Sequence, residues 1–170
     1  MHTSGSVEAK VLIKHERYAV FYPLQTFTAG IETSEQEFPL LIECGQKQDE
    51  SLLTELAASI GLKPFLMNSK QRAEVHLAAV FACNFVNHFI AIAFDLMQSK
   101  NYPTNLLMPL IKESIHKLSY ISPQQAQTGP AVRHDDLVIE KHIHMLQDDI
   151  ALKNLYQLIT KHIQENQQKD

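Results

Sequence analysis

The pattern of apolar and polar positions changes character near Asn68. Before that point short β-branched and aromatic runs recur. YAVFYPL (18–24) and FPLLIEC (38–44) are stopped by Pro23 and Gly45 and read as strands. The polar stretch QTFTAGIETSEQE between them predicts a surface loop. In DESLLTELAASIGL (49–62), Leu52, Leu53, Leu56, Ala57 and Ile60 fall at helical spacing and Gly61 closes the helix. KPFLMN then predicts a short strand. Strand, strand, helix, strand is the order of an α/β sheet edge.

After Asn68 the strand signals stop. Ser69 is placed to cap a helix running to about Lys100, roughly 45 Å at 1.5 Å per residue. It is apolar nearly all round, so other helices or a partner subunit must cover it. VHLAAVFACNFVNHFIAIAFDLM has the length of a membrane span, but His76, Asn84, Asn87 and His88 interrupt it. Those groups are costly in lipid, which favours a buried helix of a soluble protein. Asn101, Tyr102 and Pro103 end it, and NLLMPLIKESIHKLSYI predicts a second helix with Pro109 in its first turns. Ile139, Ile143, Leu146 and Ile150 form one stripe on a third, and DDIALKNLYQLITKHIQ a last amphipathic helix.

Composition narrows the classes. A chain of 170 residues, 45% apolar, is one domain or a large domain with an appendage, and has material for a core. A net charge of −4 with scattered Lys and Arg predicts neither nucleic acid nor a membrane surface as partner. Cys44 and Cys83 stand alone and no signal peptide is visible, which together suit the cytoplasm. HTSGS reads as the end of a strand with only Met1 before it, so the chain is expected to start part-way through a longer protein.

Two groups of polar residues stand out. At 100° per residue Arg72, His76, Cys83 and Asn87 share one narrow stripe of the long helix, with Asn84 on its flank. They line a cleft, form a satisfied interior network or face water as a wet surface. In QTGPAVRHDD (127–136) the Gly129-Pro130 turn leads to Asp135 or Asp136 as a helix cap. Arg133 beside the free N–H groups would suit a carboxylate or phosphate; with the acids already in the cap it is an ordinary surface charge. Nine histidines raise a metal, yet His142 and His144 point to different faces and no H-x-x-x-H pair occurs, so no metal is expected. The glycines, at 5, 30, 45, 61 and 129, form neither G-x-G-x-x-G nor a P-loop.

In order, HTSGS, YPLQTF (22–27), FPLLIECG (38–45), RAEVHLAAVFACNFVNH (72–88), LMPLIKES (107–114) and QTGPAVRHDD resemble a bacterial family designated NADP-dependent oxidoreductases. Those proteins join a Rossmann domain to a helical carboxy-terminal domain of unknown function. They are distant relatives of the β-hydroxyacid dehydrogenases, pyrroline-carboxylate reductases and prephenate dehydrogenases. The resemblance implies a mainly α chain with a small α/β amino-terminal portion. Residues 1–68 would be the remaining edge of the Rossmann-like cofactor domain. Residues 69–170 would be a helical substrate and dimerisation domain, like the carboxy-terminal domain of 6-phosphogluconate dehydrogenase. It implies His76 and Asn84 as catalytic residues, Arg72, Asn87, Thr128, Gly129 and Arg133 at the substrate, and Thr3, Ser4 and Gln25 near the cofactor. NADP is the family's cofactor, with none expected for this chain alone. The implied partners are a small carboxylate-bearing metabolite and a second copy in a homodimer. Two positions depart from the pattern: Val80 stands where many β-hydroxyacid dehydrogenases carry lysine, and His134 follows the arginine where glycine is usual. The competing expectation is a non-catalytic helical self-association module, in which His76, Asn84 and Arg133 scatter or pair internally.

Overall fold

A computed structural model describes residues 1–32 and 37–167; residues 33–36 of the expected surface loop lie outside the described residues. The chain is mainly α with a small α/β amino-terminal portion, in two compact units, Met1–Lys100 and Asn101–Asp170. Side-chain bonds from Ser69 and Arg72 to Glu43 hold the first turns of the long helix to the sheet, and the first unit runs on to Lys100.

In the first unit β1 (Ala19–Pro23) pairs antiparallel with β2 (Leu40–Cys44), and β2 pairs parallel with β3 (Pro64–Leu66). His2 makes a parallel bridge to Val20, so HTSGS does leave a strand position beside β1. The register decides what each sheet face carries. Ala19, Phe21, Ile42, Cys44 and Leu40 share one face, against which α1 (Glu50–Ser59) packs Leu53 and Ala57. Leu40 and Ile42 are fully buried there, each worth about 1.5–3 kcal/mol. Val20, Tyr22, Leu41 and Glu43 share the opposite face.

A continuous helix, Ser69–Gln98, follows, made of α2 (Ser69–Ala79), a π-helical segment Val80–Phe85 and α3 (Val86–Gln98). Its cap differs from expectation. Asn68, not Ser69, accepts the Gln71 N–H, and Gln71 returns the bond to the Asn68 N–H. Ser69 is thereby free to donate to Glu43 and accept from the Ala9 N–H. The helix is not buried as expected. By length and composition it could cross a membrane, and no residue of its most apolar stretch is fully buried by the rest of the chain.

The second unit contains α4 (Met108–His116) with Pro109 in its first turn, the short α5 (Pro123–Ala126), α6 (Asp136–Met145) and α7 (Ile150–Gln167). The stripe expected to run through Ile150 breaks. Ile139 is buried, but the helix ends at Met145 and Ile150 lies exposed at the start of α7. Asp149 causes the restart by accepting the Leu152 N–H at 2.9 Å. His142 and Tyr156, 2.9 Å apart from Nδ1 to hydroxyl, tie α6 to α7.

Candidate functional site

The face of the sheet that carries Tyr22 and Glu43 meets the start of the long helix. Arg72 and His76 are one turn apart on α2 and so project the same way. Arg72 bonds Glu43 and donates to the Val7 carbonyl at 2.6 Å. His76 meets Tyr22, with Nδ1 and the phenol oxygen 3.1 Å apart and the rings edge to face at 5.9 Å. Gly5 lies against both, and a Cβ there would come within 2.6 Å of His76 Nδ1 and 2.8 Å of Tyr22. Only a glycine lets the amino-terminal loop pass this closely.

Beside this pair is a cavity of about 400 Å³ lined by Tyr22, Leu24, Gln25, Thr26, His76, Ala79, Val80, Cys83 and Asn84. The strand β1 and its following turn supply one wall and the helix the other. By α-helical arithmetic Asn84 lies on the flank of the His76 stripe. The π-helical segment adds a residue to one turn and brings Asn84 back toward the cavity; such bulges are frequent at functional sites. Burial pushes the Tyr22 phenol up from its ordinary value, so it stays a neutral O–H.

His76, Asn84 and Gln25 therefore share one cavity, and Arg72, Asn87, Thr3 and Ser4 of the same unit are off its wall. Arg72 faces inward, 1% exposed, and is absent from the cavity wall because Glu43 and the Val7 carbonyl occupy its guanidinium. Asn87 is exposed and off the wall. Thr3 is exposed, and Ser4 accepts the Ser6 and Val7 N–H groups, closing a local turn. In the second unit Gly129 has φ +111° and His134 φ +50°, and the turn Thr128–Arg133 leads into α6. Asp135 caps that helix through the Val138 N–H at 3.3 Å, and Arg133 is exposed. A carboxylate of the chain's own thus already occupies the helix start. Gly5 was not singled out from the sequence, and Tyr22 entered only within YPLQTF, whose residues 22–27 the resemblance places facing the nicotinamide. The alternation in YAVFYPL does put Tyr22 on the face of Val20, away from Phe21, which is the signal that could have found it. Among the described residues no group of three His, Cys, Asp or Glu side chains is placed to hold a metal.

Residues 38–163 match the family described as "Domain of unknown function (DUF2520)". The chain belongs to that family. It is also 42% identical to a crystal structure described as "putative NADP oxidoreductase BF3122 from Bacteroides fragilis", with TM-score 0.91 over 96% of this chain and 64% of that one. The chain thus spans a little under two thirds of that relative's length. The protein TM1727 from Thermotoga maritima shares the fold, with TM-score 0.77 at 21% identity over 99% of this chain and 68% of that one. No curated protein matches the chain.

Proposed function

We propose that the DUF2520 chain is the substrate-handling and dimerisation part of an NADP-dependent oxidoreductase acting on a small metabolite. The juxtaposition of His76, Tyr22 and Asn84 around one cavity carries this reading. About 400 Å³ is within the usual range for small-molecule sites. Leu24, Ala79 and Val80 receive apolar substance, while Gln25, Thr26 and Asn84 offer hydrogen bonds to fix its orientation. His76 holds the reacting oxygen through its ring N–H, and the Asn84 amide holds a neighbouring polar group.

The NADP named for the Bacteroides relative would, when bound, give or take a hydride. The described residues do not fit a whole dinucleotide. No glycine-rich strand-to-helix turn is present among them to hold a pyrophosphate. The chain's own contribution is therefore binding, orienting and polarising the reacting oxygen, and NADPH should not bind to these residues by themselves. Saturable micromolar binding of NADPH to this chain in calorimetry would overturn that statement.

The reading places the protein in the cytoplasm as a homodimer, with a second copy covering the exposed helix. Its test is a titration of the ¹⁵N-labelled chain with a panel of small oxo- and hydroxy-carboxylates. Saturable shifts of the His76 ring and the Asn84 and Gln25 amides are expected, and Asn84→Ala should weaken them about tenfold, the effect of one well-placed polar contact. Ligands that perturb none of these resonances would remove the cavity from the account.

A further inference from the structure

We propose that Tyr22 is a positioning residue that fixes the tautomer of His76, so that the neutral ring presents Nε2–H to the cavity ligand. The inference rests on the cavity reading above and deepens it. The chemistry of the contact decides the direction of the bond. Tyr22 has one O–H to give, and its hydroxyl has no other partner among the described residues. A phenol is a better donor than acceptor, and the unprotonated nitrogen of an imidazole is a good acceptor. The Tyr22 O–H therefore donates to Nδ1, and the ring's own proton resides on Nε2.

Three features hold the arrangement. The edge-to-face packing of the two rings fixes their relative orientation. Gly5 packs directly against both rings at their contact. Burial keeps the phenol protonated. His76 Nε2 has no protein partner among the described residues, and the ring stands on the cavity wall with Asn84. The neutral side chain thus offers a hydrogen bond rather than a lone pair. The group it suits is a carbonyl oxygen, whose developing negative charge an N–H donor stabilises. The ligand class that follows is a small oxo compound rather than a bare amine.

The test is ¹⁵N NMR of the His76 ring at a pH where it is neutral. Wild type should show a protonated Nε2 and a hydrogen-bonded, unprotonated Nδ1. Tyr22→Phe keeps the ring packing and removes the O–H. It should move Nδ1 toward a free lone pair and lower the Nε2–H to Nδ1–H ratio about fivefold, the effect of one net hydrogen bond. A protonated Nδ1 in wild type, or an unchanged ratio in Tyr22→Phe, overturns the proposal. Should Tyr22→Phe fail to fold, the wild-type assignment alone decides. Adding pyruvate as a probe oxo acid separates the two readings. If Nε2 fails to respond while the tautomer is as stated, the ligand reading falls and the Tyr22 assignment stands.

Discussion

Glu43 on β2 and Arg72 on α2 form an ion pair inside the first unit, with the arginine side chain 1% exposed and the glutamate 19%. It joins the sheet to the helix one turn before His76 and so sets where that ring meets Tyr22. Removing one member leaves the other charge enclosed. Arg72→Ala should therefore cost about 3–5 kcal/mol, whereas the double change Glu43→Leu with Arg72→Met should recover most of it. Urea unfolding of the three proteins measures both. A loss below about 1 kcal/mol in Arg72→Ala would mean that the pair does not anchor the helix.

Gly5 and Gly61 make opposite predictions for the same substitution. A Cβ on Gly5 meets His76 and Tyr22 at under 3.0 Å, so Gly5→Ala should cost about 1–3 kcal/mol by overpacking and also separate the two rings. Gly61 has φ +76° with nothing near its Cβ position. Gly61→Ala should cost about 1–2 kcal/mol through backbone strain alone and leave the His76 ring resonances in place. Both are read from thermal melts paired with imidazole NMR.

Local signals made the elements legible in the sequence. The β-branched runs marked β1 and β2, and helical spacing marked α1 and the long helix. The arrangement between elements was legible only where a resemblance supplied it. His76 and Asn84 were found together that way, but the resemblance and the spacing alike also admitted Arg72 and Asn87, which share the stripe. What separates them is the partner across the gap: Glu43 takes Arg72 into the interior, and no helical wheel contains Glu43. The π-helical segment was equally invisible, because a one-residue widening leaves no mark in composition. The meeting of Tyr22 and Gly5 with His76 was not legible, because it joins segments far apart in sequence.

His134 adopts φ +50°, a conformation that costs an L-residue about 1–2 kcal/mol. The turn geometry explains why a glycine suits this position, which the family resemblance had marked as a departure. His134→Gly should relieve the strain but gain entropy in the unfolded chain. A net stabilisation of about 0.5–1 kcal/mol is expected, visible as a higher unfolding midpoint in urea. Destabilisation would mean that the His134 side chain contributes a contact worth more than the strain.

The alkaline limb of stability follows from two acids whose ionisation burial opposes. Desolvation raises the Cys44 thiol from its ordinary value of 9.0, helped by the charges of Glu50, Asp49 and Glu43, and raises the Tyr22 phenol from 10.0. In both cases the unfolded chain loses its proton first. The stability these neutral groups provide is complete below the unfolded values and is lost as pH rises through the higher folded ones. Unfolding midpoints should therefore fall from about pH 9 upward. Cys44→Ser and Tyr22→Phe should each flatten part of that decline, and a decline identical in both variants would assign it to other groups.

Leu77, Phe81, Phe85 and Phe89 recur every fourth residue on the long helix, all exposed, on the side turned away from His76, Val80 and Cys83. Phe81 and Phe85 already stack edge to face at 4.9 Å. A ladder of this kind left partly in water forfeits a share of the roughly 1.5–3 kcal/mol that full burial of each large side chain is worth, which a second copy of the same helix can recover through an isologous contact. The expected state at micromolar concentration is a dimer. Phe81→Glu with Phe85→Glu should turn it into a monomer by light scattering, while the His76 ring resonances, on the side that meets Tyr22, remain unshifted. A wild-type monomer that partitions into detergent micelles would instead assign the ladder to lipid, and a dimer unaffected by both glutamates would place the interface elsewhere.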